Sequence, residues 1–207
     1  LNEYDIAEIL EGLKPKESIK LFRLLNKDIA ADVFSYMDTD VQAELISLLN
    51  DTEAVEIINE MSADDATDLI DEMPANVVSR LLSKVDSETR RDINQLLKYP
   101  DNSAGSIMTT EYVSLDEDIT VEDALKRIKR TGIDKETIYT CYVSDEHSTL
   151  IGIITIKSLL LAEDDDIIEN IMETNVISVN TLDDQENVVQ VFNKYNFLAV
   201  PVVDKEN

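Results

Sequence analysis

Apolar residues recur every twelve positions through the first hundred residues of the chain. One series runs through eight consecutive repeats and is apolar throughout: Ile9, Leu21, Val33, Leu45, Ile57, Leu69, Leu81 and Ile93. The positions one and four residues further on are also apolar, except at Asn94. Residues at i, i+1 and i+4 lie on one side of an α-helix. The pattern therefore predicts eight short helices, each with one buried face.

Short polar breaks that contain helix-start residues separate these predicted helices. They lie at residues 14–16, 38–40, 50–52, 62–65, 73–76 and 86–88, and they are rich in Asp, Asn, Ser and Pro. Twelve residues hold a helix of about two turns and a tight connection. Because helices this short are marginal alone, they gain stability only by stacking on their neighbours. We expect residues 1–100 to form a right-handed superhelix of short helices.

The pattern changes after residues 98–102, which break the twelve-residue period and indicate a linker. Short β-branched runs now predict strands at residues 112–115, 138–143, 150–155, 176–179 and 197–203. Helical patterns lie between them at residues 121–130, 156–162, 167–172 and 185–195. Alternation of strands and helices is typical of an α/β domain.

This second half contains an internal repeat with an offset of 64 residues. Ile107-Met108-Thr109 corresponds to Ile171-Met172-Glu173, and a similar strand and helix follow each of them. The second copy stops before the counterpart of the strand that contains Gly152 and Thr155, so we expect the chain to be a fragment of a longer protein. The predicted domains are residues 1–100, 101–166 and a truncated 167–207.

The charge of the chain is strongly negative, because 44 acidic residues face 18 basic ones and the formal net charge is −26. This excludes a simple nucleic-acid-binding protein, since polyanions would be repelled. No apolar stretch is long enough to span a bilayer and no signal peptide is visible, so we expect a soluble, cytosolic chain whose counter-ions are cations. A single cysteine, Cys141, excludes an internal disulfide and a cysteine-based zinc site.

The residues do not predict an enzyme. Only one histidine, His147, is present, and it lies in a polar run typical of a surface loop. Cys141 lies within a predicted strand and is expected in the core. The acidic run 163–166 is expected to be a solvated helix start. No pair of nucleophile and base and no glycine-rich phosphate loop can be identified.

The position before each apolar pair of the helical repeat is mostly acidic. Its members are Glu8, Lys20, Asp32, Glu44, Glu56, Asp68, Arg80 and Asp92. For most of them a solvated face is the simplest interpretation. Asp64 and Asp68 are four residues apart, so their carboxylates lie side by side and repel each other unless a cation or a base lies between them.

Several motifs resemble those of known families. The Ile107-Met108-Thr109 opening, the hydrophobic strands and the Gly152-x-x-Thr155 strand closely resemble a pair of CBS domains, the regulatory modules named after cystathionine β-synthase. Twelve-residue helical repeats are followed by the segment 103–109 and then by the CBS pair, which contains the characteristic stretch 134–139. This order is similar to that in the cytosolic part of the MgtE family of magnesium channels and transporters. The resemblance covers the whole chain.

The resemblance implies a set of Mg²⁺ ligands. In the helical domain they are carboxylates that fall on Asp32, Asp64 and Asp68. At the start of the CBS pair, a backbone carbonyl that belongs to a glycine in the family falls on Ser106. On the second CBS copy the ligands fall on Glu186 and on the backbone oxygen of Asn193, whereas a second carboxylate of the family is replaced by Asn196.

The resemblance also implies a function. The CBS pairs of two chains form a homodimer, and a transmembrane pore domain follows them in the full-length protein, so that the chain lies at the cytoplasmic face of the cell membrane. Mg²⁺ bound between the acidic helical domain and the CBS surfaces favours a compact state that closes the pore. Mg²⁺ fits such sites because it takes about six oxygen ligands, several of them water.

Two other functions remain open from the sequence. CBS pairs often bind adenosine nucleotides, so ATP is a further candidate ligand, although Ser158 stands where the usual signature has an aspartate that meets the ribose. Alternatively, the acidic face is solvated and the helical domain is a scaffold for a protein partner. Metal-dependent compaction would distinguish a Mg²⁺ sensor from that scaffold.

Overall fold

Eight helices form the first unit, and they begin at intervals of twelve residues, as the sequence predicts. They are α1 (Glu3–Glu11), α2 (Pro15–Phe22), α3 (Lys27–Ser35), α4 (Thr39–Leu48), α5 (Asp51–Glu60), α6 (Ala63–Asp71), α7 (Ala75–Leu82) and α8 (Ser87–Leu96). The computed structural model describes residues 1–205, apart from the side chains at positions 28 and 134. Within it the chain divides into two units, Leu1–Lys98 and a second that starts at Tyr99.

Side-chain caps mark four of the eight helix starts in the first unit. The side chains of Asn2, Asn26, Asn50 and Ser62 each accept a hydrogen bond from a backbone N–H of the first turn. At α5 the cap is reciprocal, since the backbone N–H of Asn50 also donates to the Glu53 carboxylate at 3.0 Å. At α2, Pro15 occupies the first helical position.

Each helix packs mainly against the helix two places along the chain, which produces two rows. The odd row contains α1, α3, α5 and α7, and the even row contains α2, α4, α6 and α8. The shared core includes the fully buried side chains of Val33, Phe34, Ile58, Leu69, Leu81 and Ile93. This arrangement satisfies the requirement that such short helices be stabilised by their neighbours.

Two members of the apolar series are not buried. Ile9 is 50% exposed and Leu21 is 46% exposed, so the expectation of a buried face at every repeat is wrong at these positions. They lie on α1 and α2, which within the described residues have stacked neighbours on one side only. An apolar position in a repeat is buried by the adjacent repeat and not by its own helix.

The second unit contains the two CBS-like copies. The first copy comprises β1 (Val113–Asp116), α9 (Val121–Thr131), β2 (Thr140–Ser144), β3 (Leu150–Thr155) and α10 (Ile156–Leu161). The second comprises α11 (Ile168–Ile171), β4 (Val179–Asn180), α12 (Gln185–Tyr195) and β5 (Val202–Val203). Strand β2 pairs parallel with β1 and antiparallel with β3, and β4 pairs parallel with β5.

Three predicted strands match the structure closely, and two do not. Strand β3 has the predicted bounds, and β1 and β2 begin one or two residues late. Of the predicted strand 176–179 only Val179 is paired, and of 197–203 only the last two residues are. β-branched residues favour a strand, but a ladder needs a neighbouring strand, and β4 and β5 pair with each other over two residues only. Positions 206 and 207 of the predicted second copy lie outside the described residues.

The segment that leads into each copy packs on the core of the other copy. Ile168 and Met172, which lead into the second copy, pack on the core of the first copy, and the backbones of Glu173 and Ile153 exchange two hydrogen bonds. In return Ala104, which leads into the first copy, packs on Val179 and Val188 of the second copy. A boundary at 166/167 therefore divides the sequence repeat but does not divide the packed cores.

The acidic run 163–166 forms a turn and not the expected helix start. The backbone oxygens of Asp164 and Asp166 accept the N–H groups of Glu122 and Val121 at the start of α9. The run therefore supplies acceptors to the first turn of another helix, where unpaired N–H groups would otherwise remain. His147 is exposed and Cys141 is fully buried, as predicted.

Candidate metal-binding sites

Four carboxylates project from α6, all of them from aspartates. They belong to Asp64, Asp65, Asp68 and Asp71. The helix begins here because the Ser62 hydroxyl accepts the N–H of Asp65 at 3.3 Å. Asp64 and Asp65 lie in the first turn, where the helix dipole favours negative charge. Asp68 lies one turn further on and has less of this stabilisation.

The environment of Asp68 favours a neutral or cation-bound carboxylate. The pKa of Asp68 is raised, first by desolvation and then by the negative charges of Asp64, Asp65 and Asp71. Asp64 is half-buried, and its Oδ1 atom is screened from solvent. A divalent cation between Asp64 and Asp68 would remove the repulsion that raises this pKa.

Asp32 lies on α3, in the other row of helices. Its side chain is exposed. Within residues 1–205, neither Asp32 nor Asp68 forms an ion pair with a lysine or an arginine. The fold therefore places Asp64 and Asp68 together on one helix of the even row and Asp32 on a helix of the odd row.

Other carboxylates of the helical unit are neutralised by basic side chains. Asp51 contacts Lys84 at 2.6 Å and Arg80 at 3.2 Å, and Glu53 contacts Arg23 through two hydrogen bonds of 2.9 Å. These contacts lower the pKa of both carboxyl groups. No local pattern in the sequence reveals these pairs, because partners about thirty residues apart meet only through the stacking of helices.

Ser106 lies at the end of a short 3₁₀ segment, Ala104–Ser106. Its hydroxyl donates to the backbone oxygen of Ser103 at 2.9 Å, and its N–H donates to the same oxygen at 3.1 Å. The hydroxyl is thus engaged within the turn. The backbone carbonyl of Ser106 is the group that could act as a metal ligand, as the resemblance implies.

Glu186 and Asn193 lie on α12, and both side chains are exposed. They are seven residues apart, which corresponds to about 10 Å along a helix. Two oxygens that ligate one Mg²⁺ lie no more than about 4 Å apart, so an ion shared by these residues requires bridging water. Asn196, where the family has a second carboxylate, ends the helix in the left-handed conformation, with φ of 53°.

The donor chemistry of these residues fits Mg²⁺ but does not form a complete cage. Every candidate ligand is an oxygen, as a hard cation prefers. Among residues 1–205, no group of three or more histidine, cysteine, aspartate or glutamate side chains is arranged to hold a metal ion. Mg²⁺ commonly keeps several waters and uses one or two carboxylates. The Asp64 and Asp68 pair matches that mode of binding.

The segment expected to contact a nucleotide lies where β3 passes into α10. Thr155 caps α10, and its hydroxyl accepts the N–H of Ser158 at 3.1 Å and lies 2.9 Å from the Ser158 hydroxyl. These two hydroxyls could hydrogen-bond a ligand, but Ser158 brings no carboxylate to the place where the usual signature has one.

Comparisons with known proteins agree with both halves of the fold. The sequence profile of the MgtE intracellular N domain matches residues 1–102, and the CBS domain profile matches residues 104–165 and 168–207. A magnesium transporter MgtE from Enterococcus faecalis is 44% identical over 121 residues, and one from Thermus thermophilus is 39% identical over 127 residues. These alignments cover 58% and 61% of this chain but only 27% and 28% of the relatives.

Solved structures match over the full chain. A crystal structure of the cytosolic domain of the Mg²⁺ channel MgtE in complex with ATP has a TM-score of 0.93 and 35% identity, and the match covers 100% of this chain and 84% of that one. A structure of the soluble part of a magnesium transporter has a TM-score of 0.92 and 35% identity, with 99% and 80% covered. Within residues 1–205, no helix is long and apolar enough to cross a membrane.

Proposed function

Because the chain belongs to the MgtE family, we propose that it is the Mg²⁺-sensing regulatory region of a magnesium transporter or channel. Its place is the cytoplasmic face of the cell membrane, and its role is regulatory and not catalytic. The transport step belongs to a transmembrane pore domain, and two chains associate through their CBS pairs. The chain spans little more than a quarter of the length of the curated relatives, so these properties of the whole protein are part of the proposal.

The observation that carries the proposal is the carboxylate pair on α6. Asp64 and Asp68 lie one helical turn apart, and the pKa of Asp68 is raised first by desolvation and then by the charges of Asp64 and the neighbouring aspartates. No lysine or arginine among the described residues forms an ion pair with Asp68. A bound Mg²⁺ would supply the missing positive charge.

Mg²⁺ acts in this proposal by shifting a population between two states. Residues 1–100 carry 10 basic and 22 acidic side chains, a net charge of −12, and residues 101–207 carry 8 and 22, a net charge of −14. Two lobes of like charge repel at separations below about 10 Å at physiological salt. Mg²⁺ held by Asp32, Asp64 and Asp68 and by Ser106, Glu186 and Asn193 reduces that repulsion and favours a compact state, which closes the pore.

Small-angle X-ray scattering during a Mg²⁺ titration tests this function. The titration runs through the low-millimolar range with K⁺ adjusted to keep the ionic strength constant. We expect the radius of gyration of the chain to fall, and we expect the double variant Asp64→Asn/Asp68→Asn to need more Mg²⁺ for the same change. Asp40→Asn/Glu44→Gln is the matched control, because Asp40 and Glu44 occupy on α4 the repeat positions of Asp64 and Asp68, are exposed, and lose the same two charges.

The outcomes separate the sensor from the scaffold. A fall in radius that Asp64→Asn/Asp68→Asn weakens and Asp40→Asn/Glu44→Gln leaves unchanged supports the sensor. If both variants weaken the response equally, Mg²⁺ only screens the overall negative charge. A radius that Mg²⁺ does not change would contradict the proposal and favour a scaffold with a solvated acidic face.

A second candidate ligand, ATP, is supported by one observation. The similar structure with a TM-score of 0.93 is a complex with ATP. We propose that ATP binds the CBS pair of this chain near Thr155 and Ser158. In equilibrium dialysis with ATP we expect Thr155→Ala to weaken binding and Ser158→Asp to strengthen it through the ribose hydroxyls. Unchanged binding in both variants would place ATP elsewhere.

A further inference from the structure

The segment that follows the helical unit is bonded to the start of α12. The backbone oxygen of Asn102 accepts the N–H of Gln185 at 2.8 Å, and its Oδ1 accepts the Gln185 side-chain Nε2–H at 3.0 Å. Asn102 thus contacts both the backbone and the side chain of the first residue of α12. We refer to these two hydrogen bonds as the Asn102 clamp.

Asparagine suits this position for a conformational reason. Asn102 has φ of 61°, in the left-handed region that most residues avoid and that asparagine tolerates. This conformation lets its backbone oxygen and its side-chain oxygen both face Gln185. A residue with a β-branched or aliphatic side chain would lose the side-chain bond and strain the backbone.

The residues after Asn102 extend the attachment along the second CBS copy. The N–H of Ala104 donates to the backbone oxygen of Asp183 at 2.7 Å, and the N–H of Gly105 donates to that of Thr181 at 2.8 Å. Ser103 and Asp184 form an antiparallel bridge. The chain that leaves the helical unit is therefore attached to residues 181–185 within a few residues of Lys98.

The other end of this attachment is next to a candidate metal ligand. Gln185 directly precedes Glu186, whose N–H donates to the Asp184 side chain at 2.8 Å. A displacement of the start of α12 that accompanies cation binding would move Gln185, and the two bonds of the clamp would transmit the movement to Asn102. We propose that Asn102 is a positioning residue that couples Mg²⁺ binding on α12 to the placement of the chain leaving the helical unit. This inference rests on the proposed Mg²⁺-sensing function.

Two variants weaken the clamp in different ways, and a third preserves it. Gln185→Glu replaces the Nε2–H donor with an acceptor of the same shape and adds a favourable charge at the helix start. Asn102→Gly retains the left-handed conformation but removes the Oδ1 acceptor. Asn102→Asp keeps an oxygen acceptor and should rescue the function. Asn187→Asp makes the same change of an amide to a carboxylate at an exposed position in the first turn of α12, outside the clamp and off the face of Glu186.

The experiment measures two quantities in each variant. Scattering gives the Mg²⁺ concentration at which the radius of gyration is half changed, and NMR chemical shifts of the α12 amides give the Mg²⁺ concentration that half saturates this helix. In Gln185→Glu and Asn102→Gly we expect the Mg²⁺ concentration at which the radius of gyration is half changed to rise about threefold, as for the loss of one hydrogen bond. We expect the Mg²⁺ concentration that half saturates α12 to stay within the range of Asn187→Asp and Asn102→Asp.

The results distinguish the clamp from the function on which it rests. If the wild-type radius falls with Mg²⁺ and the clamp variants respond like Asn187→Asp, the clamp is overturned and the sensor stands. If α12 saturation shifts in parallel with the radius, Asn102 acts on binding and not on coupling, which also overturns the inference. If Mg²⁺ leaves the wild-type radius unchanged, the sensor fails. Amide exchange at Ala104 and Gly105 then decides whether Asn102 holds this segment at all: faster exchange in Asn102→Gly supports the attachment, and unchanged exchange refutes it.

Discussion

Asp68 lies one turn after Asp64 on α6, and its carboxyl pKa is raised first by desolvation and then by the charge of Asp64. For a group whose pKa is higher in the folded than in the unfolded chain, the stabilising contribution is present below the unfolded value and is lost as pH rises through the folded value. Ionised Asp68 therefore destabilises the folded helical unit at neutral pH when no cation is bound.

Asp68→Asn should consequently stabilise the metal-free chain at pH 7. Removal of a like-charge pair at i, i+4 is worth about 0.2–0.5 kcal/mol. We expect a higher midpoint of thermal unfolding for the variant in the presence of a chelator, and a smaller difference at lower pH, where protonation of the wild-type carboxyl removes the repulsion. With saturating Mg²⁺ the order should reverse, because only the wild-type protein gains from binding. A variant that is less stable than wild type under all three conditions would contradict this account.

Glu53 should stabilise α5 in two separable ways. Glu53→Gln keeps the capping-box acceptor for the Asn50 N–H but loses the charge that meets Arg23, and we expect a cost of about 0–1 kcal/mol. Glu53→Ala loses both and should cost about 1–2 kcal/mol. Chemical denaturation followed by helical circular dichroism measures both. Glu56→Gln, which removes only an exposed pair with Lys27, is the control.

The same residue predicts a pH dependence of opposite sign to that of Asp68. The pKa of Glu53 is lowered by its hydrogen bond with Arg23 and by the N–H of Asn50. Its stabilising contribution is therefore present above the unfolded pKa and is lost as pH falls through the folded value. The difference in unfolding free energy between wild type and Glu53→Gln should shrink as pH is lowered from 6 to 3. A difference that is constant over this range would show that the charge of Glu53 does not contribute.

Two glycines should respond oppositely to substitution by alanine. A Cβ atom on Gly105 would lie 2.5 Å from Cγ of Tyr99 and 2.9 Å from the backbone oxygen of Thr181. Gly105→Ala should therefore destabilise the CBS unit by about 1–3 kcal/mol. Gly12 has φ of −69°, and a Cβ there would meet only atoms at 3.6 Å. Gly12→Ala should instead stabilise the helical unit by about 0.4–1 kcal/mol. Thermal unfolding of the two variants in parallel provides the comparison, and equal effects would contradict it.

Cys141 should be unreactive in the folded protein. Its side chain is fully buried on β2, and burial raises the pKa of the thiol to about 11. Because the thiolate is the reactive form, alkylation by iodoacetamide at pH 8 should be slow until the CBS unit unfolds. Glu146→Cys, which introduces a thiol at an exposed loop position, is the positive control. Rapid labelling of Cys141 under native conditions would show that β2 opens locally.

The sequence by itself determined the local elements of this protein. The twelve-residue apolar period predicts all eight helices of the first unit, and side-chain caps such as Asn50 mark four of their starts, since both signals act within a few residues of chain. The helix α12 and the strand β3 have the predicted bounds for the same reason. The identity of Asp64 and Asp68 as neighbours also follows directly, because residues four apart on a helix share one face.

Only the tertiary structure decided which of these residues are buried and which carboxylates are neutralised. Ile9 and Leu21 belong to the apolar series yet remain exposed, because burial depends on the adjacent repeat. Asp51 and Glu53 are neutralised by arginine and lysine from other helices, whereas Asp68 meets further carboxylates. These differences depend on how helices stack across some thirty residues of chain. The period of a sequence pattern describes the individual helix, and the contacts between helices arise only from their packing.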